Sequence, residues 1–427
     1  MSSSLIHIGV AVSDSTGTGP AIRHRLKRRI YPALRLDFGI SHAVAALARM
    51  GACGPARWQS RVESEWGGGE AIAFLSVRSA FAAMLEALAW PEKSEVLITG
   101  INIADMAGIV GSLGHVPVPI DLDPETLAPD PAEIVSKIGP ATRAIVVAQL
   151  FGGRIEMGPL VAVARRHGLL TIDDSAQAYA TRSNRGLREC DVRLFSFGLL
   201  KSGTALGGAI AEVGDTVLRM RMRTIQAAWR RQTKLNHAVK IAKALMLLLL
   251  QRPAVYGLFS RLCAVAGTSS SVVLRRVTRG FGGSGTEALL GRLRRQPCAP
   301  LLALLTWRLA TEDGRRIARR AAAGSRMMAG LADLDSYGLT CLGQKQERHT
   351  RWLTPVSVPD PEELRHALVE AGFDASGASN VIAIGGKRVT SMVEGLVFLP
   401  CYPEMSEAAR ARVCTVARNH ALGRHKR

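Results

Sequence analysis

Short apolar runs alternate with longer amphipathic stretches through the first half of the chain. The apolar runs fall at 71–75, 95–98, 116–121, 144–148 and 169–173 and are bounded by turn residues, as is typical of buried strands. The stretches between them, at 76–89, 105–113 and 157–167, have the length and apolar spacing of helices. This alternation predicts an α/β fold with a mostly parallel central sheet covered on both faces.

The pattern changes in the second half of the chain. The apolar run 244–250 follows Lys240 and Lys243 and ends before Pro253. It is too short to cross a bilayer, which requires about 20 apolar residues. Residues 297–334 have a long helical pattern. Beyond them we expect a smaller α+β unit with strands at 351–358 and 395–399, a helix at 361–371 and a closing helix from Ser406.

One lysine stands out by its surroundings. Lys201 lies between an apolar stretch ending at Leu200 and a run of small residues, rather than on a charged face. Because burial disfavours the charged form of an amine, we expect a depressed pKa for Lys201. An uncharged amine can attack an aldehyde and hold it as a Schiff base. Ser196, five residues earlier, could help to hold a phosphate, whereas the alternative is a structural lysine that caps a helix or pairs with an acid.

Two carboxylates follow the apolar run that begins at Leu169. Ligands of α/β folds bind where parallel strands end, and Asp173 and Asp174 stand at such a place. Pyridoxal phosphate (PLP) requires an acid against its ring nitrogen, so that the ring can take up electrons. Asp174 fits that role, and Asp173 fits it less well. Gln177 could hydrogen-bond the ring hydroxyl, whereas the alternative is that both acids cap the following helix.

These motifs together resemble those of a known family. The segments 173–178 (DDSAQA) and 195–197 (FSF), then Lys201, then Gly207 and Gly208, match in order and spacing the DegT/DnrJ/EryC1/StrS sugar aminotransferases. The resemblance runs from about residue 45 to 214 and resumes at about 295. It implies the type I fold of PLP-dependent transferases, with a large PLP-binding domain over 1–215 and a linking helix and small C-terminal domain over 297–427.

The resemblance also implies an activity. It is that of a PLP-dependent aminotransferase that moves an amino group from glutamate to a keto-sugar, nucleotide-linked or lipid-linked, in polysaccharide or secondary-metabolite biosynthesis. Lys201 would be the catalytic residue, and Asp174, Gln177 and Ser196 would hold the cofactor. A homodimer with shared sites is the family's usual assembly.

Two further segments that we expect to contact the cofactor differ from the family's sequence. Val77 and Arg78 open a helix whose N-terminus suits a phosphate, at a place where the family has Ser-Gly-Thr. Since a β-branched residue resists positive φ, we expect a reshaped loop at Val77, and an ordinary helix cap is the alternative. Asn102 and Ile103 occupy the place of the family's Thr-Phe. Ile103 can pack on a cofactor ring but provides no π stacking.

The excess of positive charge is confined to one part of the chain. The formal net charge is +20, and residues 216–326 contain 22 Lys and Arg against three acids. We therefore predict a basic helical insertion over 216–296 and an anionic partner for 216–326. Basic residues beside apolar runs, with Trp229 and Trp307, suit an anionic membrane surface. A basic rim that binds a nucleotide diphosphate and a solvated face are the alternatives, and nucleic acid is disfavoured because no reading module is present.

The remaining signals concern the compartment and a rival function. The seven cysteines are scattered without a Cys-x-x-Cys, which predicts reduced thiols and no metal site. Residues 1–7 do not resemble a signal peptide, so we expect a cytoplasmic protein, or one peripheral to the inner membrane surface. Departures at Val77, Ile103 and Gln149, the last in place of the family's histidine, favour an alternative. It is a catalytically inactive aminotransferase-fold protein that acts at a membrane surface or as a scaffold.

Overall fold

The structure is a computed structural model that describes residues 27–186, 189–278, 286–378 and 381–425. Residues 1–7, on which the expectation of a cytoplasmic location depends, lie outside these ranges. The helices of the described residues are α1 (Ile40–Ala48), α2 (Pro55–Trp66), α3 (Val77–Leu88), α4 (Ala104–Ser112), α5 (Pro131–Lys137), α6 (Gly158–Arg166), α7 (Thr216–Ala227), α8 (Lys234–Leu250), α9 (Pro253–Val265), α10 (Ser270–Thr278), α11 (Thr286–Leu293), α12 (Ala299–Ala310), α13 (Arg315–Ala329), α14 (Pro361–Ala371), α15 (Lys387–Glu394) and α16 (Glu407–His425).

The strands are as short as the apolar runs in the sequence. They are β1 (Ala71–Phe74), β2 (Glu95–Thr99), β3 (Ile101–Asn102), β4 (Val116–Ile120), β5 (Thr142–Ala148), β6 (Gly153–Arg154), β7 (Leu170–Asp174), β8 (Val192–Ser196), β9 (Ala209–Val213), β10 (Arg230–Arg231), β11 (Arg295–Gln296), β12 (Thr340–Cys341), β13 (Arg348–His349), β14 (Pro355–Ser357), β15 (Ser376–Gly377), β16 (Ile382–Ala383) and β17 (Leu396–Phe398). Two short 3₁₀ turns complete the described residues, at Arg182–Asn184 and Ala332–Tyr337.

The largest sheet of the described residues has seven strands in the order β1-β9-β8-β7-β5-β2-β4. β8, β7, β5, β2 and β4 are parallel to one another, and β9 is antiparallel to both β8 and β1. Only β9 therefore opposes the common strand direction, which confirms the predicted α/β class with a mostly parallel sheet. The carboxyl ends of the other six strands meet at one edge, where α/β folds bind ligands.

Helices cover both faces of this sheet because its side chains alternate between two apolar clusters. Ile72 and Phe74 face a cluster built with α3, α4, α7 and α11. Ala71 and Ala73 face the opposite cluster, to which α1, α2, α8 and α12 contribute. The two-sided burial explains why the strands are almost uniformly apolar in sequence.

A buried ionic group crosses the antiparallel end of the sheet. Glu212 of β9 forms ion pairs with Arg193 of β8 and with Arg185, and it accepts a hydrogen bond from Trp66 Nε1 at 2.6 Å. Glu212 and Arg193 are 4% and 3% exposed. Since buried charges are tolerated only when paired, this group fixes β8 against β9 close to the segment that carries Lys201.

A second, antiparallel sheet lies near the C-terminal end in the order β12-β14-β17-β15. It shares an apolar cluster with α13, α14 and α16. The N-terminal side of the described chain joins this unit, since Tyr31 pairs with Phe373 as a parallel bridge. The division of the chain at residues 215 and 296 stays a prediction.

Two predicted elements of this half are wrong in extent. The helical pattern over 297–334 is two helices, α12 and α13, because Gly314 adopts a left-handed φ of 67° and begins a new helix direction. The predicted strand over 351–358 is reduced to β14. Arg351 has a φ of 47°, which no extended strand contains, so the chain turns there before the strand starts.

The apolar run 244–250 forms the last part of α8. Ala244 and Leu247 are buried against the large sheet's cluster, while Leu245 and Leu249 remain exposed. No helix of the described residues is both long and apolar enough to span a membrane.

Candidate active site

The polar residues predicted for the site lie where neighbouring strands end. Asp174 is the last residue of β7, Ser196 is the last residue of β8, and Lys201 follows Ser196 by one turn. The antiparallel strand β9 begins at the same edge, directly after Gly207 and Gly208. The register of β7 against β8 therefore determines the distance between the acid and the lysine.

The Lys201 side chain is half-buried, and its amine is shielded from water, as the sequence predicts. Burial lowers the pKa of its amine from 10.5 to about 8, Asp174 opposes that shift and the Arg78 guanidinium adds to it. The Lys201 Nζ lies 4.2 Å from the centroid of the Trp352 ring. At neutral pH a substantial minority of the amine is thus uncharged and able to act as a nucleophile.

The two adjacent carboxylates have separate environments because consecutive strand residues face opposite sides of a sheet. Asp173 is paired with Arg154 at 3.7 Å and accepts a hydrogen bond from Ser175 Oγ at 2.8 Å. Asp174 faces the side of Lys201. Burial raises its pKa to about 6, while the Ala176 amide and Lys201 hold the pKa down. Asp174 is therefore the carboxylate placed to act on a ligand at Lys201.

Ser196 and Gln177 flank this pair. The Ser196 Oγ is 3.5 Å from the Gly198 amide, in the turn that leads to Lys201. The Gln177 Oε1 accepts a hydrogen bond from the Phe151 amide at 2.9 Å. The amide nitrogen of Gln177 is the atom that can donate to a ligand, which agrees with a contact to a ring hydroxyl.

The first turn of α3 lies at the end of β1. Ser76 caps the helix by accepting the Ser79 amide at 3.1 Å, and Val77 is its first helical residue. Val77 does not adopt a positive φ, as expected of a β-branched residue, and the reshaping of this loop relative to the family stays a prediction. Arg78 forms an ion pair with Asp105, which ties its guanidinium to the first turn of α4. The amides of Val77 and Arg78 lack a carbonyl partner within the helix, as in any first turn.

Asn102 and Ile103 lie between β3 and α4. The Asn102 Oδ1 accepts the Ile103 amide at 2.8 Å, whereas the Asn102 Nδ2 is buried without a hydrogen-bond partner. Ile103 packs against the apolar cluster on the α3 side of the sheet. The hydrogen bond between Asn102 and Ile103 links neither residue to Lys201 or Asp174.

The residues present fit PLP. A buried amine and a buried carboxylate face each other, which suits an aldehyde and a ring nitrogen on one flat molecule. The cationic Arg78 and the first turn of α3 suit a phosphate. The orphaned Asn102 Nδ2 is a buried donor that a ligand oxygen could satisfy.

Comparisons with known proteins show which family part of the chain resembles. Residues 57–243 match the model of the DegT/DnrJ/EryC1/StrS aminotransferase family. This match covers less than half of the chain, and over these residues the chain resembles that family.

The chain is similar to curated and solved relatives of known type. It is 34% identical over 182 residues to an L-glutamine:2-deoxy-scyllo-inosose aminotransferase of Micromonospora echinospora, which covers 40% of this chain and 41% of the relative. The chain therefore spans less than half the length of the curated relatives it matches.

Solved structures extend the likeness of fold to most of the chain. DesV of S. venezuelae, in complex with a ketimine intermediate, aligns with a TM-score of 0.63 and 22% identity over 89% of this chain and 94% of its own. NtdA of Bacillus subtilis, with the bound cofactor PMP, aligns with a TM-score of 0.62 and 16% identity over 91% of this chain and 83% of its own.

Three residues that sequence reasoning missed hold the turn that carries Lys201. The Trp352 Nε1 donates to the Leu200 carbonyl at 2.9 Å. Arg320 donates to Ser202 Oγ at 2.8 Å. These contacts fix the backbone on both sides of the amine.

The third residue is Asp37, which accepts the amide of Gly203 at 2.6 Å. Burial would raise the pKa of Asp37, but Arg308, Arg316 and the Gly203 amide together lower it. Asp37 therefore remains a carboxylate. No local sequence signal identified Asp37, Arg320 or Trp352, because each lies more than 100 residues from Lys201.

Gln149, which departs from the family's histidine, has a structural role here. Its Oε1 accepts the Ile155 amide at 2.8 Å, and its side chain also hydrogen-bonds Asp173. The glutamine at position 149 therefore affects the contacts of Asp173, which lies on the side of the sheet away from Lys201.

Proposed function

We propose that this chain is a PLP-dependent aminotransferase that transfers an amino group to a keto-sugar or a related cyclic ketone. The observation that carries the proposal is the buried Lys201 amine beside the buried Asp174 carboxylate at adjacent strand ends. The named M. echinospora relative uses L-glutamine and a cyclic ketone, which supports this substrate class. Glutamate, implied by the family resemblance, is the second donor to test.

Each residue would have a distinct task. When bound, PLP supplies an aldehyde for covalent capture of amines and a ring that takes up electrons. Lys201 would bind the aldehyde carbon through Nζ and, once displaced by the donor amine, carry a proton between carbon atoms. A pKa of about 8 leaves about a tenth of the free amine uncharged at pH 7, so proton uptake and release are both accessible.

Asp174 would hold a proton on the ring nitrogen. With a pKa of about 6 in the cofactor-free protein, it is mostly ionised at pH 7 and can accept that hydrogen bond. Gln177 would orient the ring through its amide nitrogen. Ser196 and the amides of Val77 and Arg78 would bind phosphate oxygens.

The test is a titration of cofactor-free protein with PLP, followed by visible absorption. Wild-type protein should develop the band of lysine-bound PLP, and glutamine or glutamate should bleach it. Lys201→Ala should show no such band, whereas Lys387→Ala, at an exposed lysine, should behave as wild type. Absence of the band from wild type would refute the proposal and favour a catalytically inactive protein on an aminotransferase fold.

We also propose that the outer face of α8 and α9 contacts an anionic membrane surface from the cytoplasmic side. This face exposes large apolar side chains, among them Leu249 at 63%, Leu262 at 60% and Val265 at 90%, with the exposed Arg252 between the two helices. Apolar side chains with basic neighbours suit the interface of an anionic leaflet, where each cation contributes about 1 kcal/mol.

Vesicle co-sedimentation tests this surface. Binding should require phosphatidylserine, weaken with salt and be lost in Leu262→Glu. Equal binding to neutral and anionic vesicles, or none, would refute it. Light scattering on the same samples should report the homodimer expected from the family, and a dimer disrupted by Leu262→Glu would assign the face to a second copy instead.

A further inference from the structure

A lysine outside the family motifs lies against the glycine turn of the candidate site. Lys240 belongs to α8, in the basic segment, and its side chain reaches back to Gly207. A Cβ atom built on Gly207 would lie 3.0 Å from the Lys240 Nζ and 2.8 Å from Leu301. The ammonium thus occupies the space that the missing side chain of Gly207 leaves open.

Backbone contacts place this ammonium beside the start of α3. The Gly208 amide donates to the Leu75 carbonyl at 3.0 Å, which ties the glycine turn to the end of β1. Ser76 and the first turn of α3 follow Leu75 directly. Lys240 therefore lies close to the α3 N-terminus, across the glycine turn.

Positive charge is in excess around the glycine turn and the α3 N-terminus. Arg78 lowers the pKa of both Lys201 and Lys240, so the three cations surround one region. Arg78 is paired with Asp105, and Lys201 is opposed by Asp174. Within the described ranges, Lys240 has neither an ion pair nor a hydrogen bond.

Cys298, the one group among the described residues that favours the protonated form of Lys240, does not act as its counter-ion. Burial lowers the pKa of Lys240, and Cys298 is the influence that opposes this shift. Burial in turn raises the pKa of the Cys298 thiol, so the thiol is neutral at physiological pH. A largely desolvated cation without a counter-ion is costly unless an anion binds beside it.

We propose that Lys240 binds the phosphate group of PLP, as a cation supplied by the basic segment to the cofactor site. This inference rests on the proposed function. A phosphate at the α3 N-terminus would receive the helix amides on one side and the Lys240 ammonium on the other. At least one base of segment 216–296 would then serve the cofactor rather than an external partner.

The experiment compares two ligands that differ only in the phosphate. Cofactor-free wild type, Lys240→Met and Lys243→Met are titrated with PLP and with pyridoxal, and dissociation constants are measured from tryptophan fluorescence quenching. Lys240→Met should bind PLP about 10- to 100-fold more weakly than wild type, which is the usual effect of losing one charged hydrogen bond. Its affinity for pyridoxal should stay within about twofold, since this ligand lacks the group that Lys240 contacts.

Lys243→Met is the matched control, because it removes a charge from the same helix one turn away. It should bind both ligands as wild type does. Lys240→Gln should reproduce Lys240→Met, and inorganic phosphate should raise the melting temperature of wild type but not of either Lys240 variant.

The outcomes separate the two proposals. Equal weakening of PLP and pyridoxal binding in Lys240→Met, or no weakening of either, would overturn the assignment of Lys240 while the proposed function stands. Wild-type protein that binds neither ligand would overturn the proposed function, and this inference with it.

Discussion

Replacing Lys201 with methionine should stabilise the cofactor-free protein while abolishing covalent capture of PLP. The reason is that burying the charged amine costs folding free energy, and methionine carries no charge. Burial lowers its pKa from 10.5 to about 8, and each pKa unit corresponds to about 1.4 kcal/mol. The charged lysine therefore destabilises the native state by roughly 3 kcal/mol at pH 8 and below.

The pH dependence gives this prediction a signature. Between about pH 8 and 10.5 the unfolded chain binds more protons at Lys201 than the native protein does, so wild-type stability rises with pH across this window. Above the unfolded pKa the penalty is gone. The advantage of Lys201→Met should thus fall from about 3 kcal/mol at pH 8 to under about 0.5 kcal/mol at pH 10.5. Methionine matches the aliphatic length of lysine, so no large cavity is created.

The assay is urea unfolding of both proteins after cofactor removal, at pH 8, 9.25 and 10.5. Lys387→Met, at an exposed lysine, provides the control and should show neither the gain nor its pH dependence. A gain for Lys201→Met that stays constant with pH would refute the titration argument. A loss of stability would show that the contact between Lys201 and Trp352, or the attraction of Asp174, outweighs burial.

Three further predictions address the neighbours of the amine. Asp174→Asn should retain covalent PLP binding but lower kcat by about 10²-fold or more, since it removes a preorganised charge from the reacting ring; an unchanged kcat in steady-state assays would contradict the assignment. Glu212→Gln should lower the free energy of unfolding by about 3–5 kcal/mol, because the buried Arg193 loses the negative charge that it pairs with, and a urea midpoint near that of wild type would refute this. Trp352→Phe retains a ring over Lys201 but loses the hydrogen bond to the Leu200 carbonyl, so denaturation should report a loss of about 1 kcal/mol, whereas stability equal to that of wild type would show that the hydrogen bond has no separate effect.

The parts of the site that could be read from the sequence are those carried by local motifs. Asp174 follows its apolar run directly, and Lys201 follows Ser196 by five residues, so strand alternation predicts a common edge for all three. The choice between Asp173 and Asp174 depends on which face of β7 each residue occupies. Sequence reasoning could only prefer Asp174, whereas the ion pair of Arg154 with Asp173 supplies the physical reason.

Contacts between distant segments account for what could not be predicted. Trp352 reaches Leu200 across 152 residues, and Arg320 reaches Ser202 across 118. No periodicity encodes such pairs, because they follow from how the two sheets pack. The break at Gly314 was also missed, since a single glycine inside a helical pattern is commonly tolerated and only its positive φ shows that the helix ends.

The residues that fix the Lys201 turn also determine when, during synthesis, the amine acquires its properties. Ribosomes add about 5–20 residues per second, so Trp352 emerges roughly 8–30 s after Lys201. Until Arg320 and Trp352 have been translated, the turn around Leu200 and Ser202 lacks two of its anchors. A nascent chain that ends before Trp352 therefore also lacks the ring that lies 4.2 Å from the Lys201 Nζ. The environment of the Lys201 amine is therefore completed by segments made long after the lysine itself, and it is a property of the folded chain rather than of its N-terminal half.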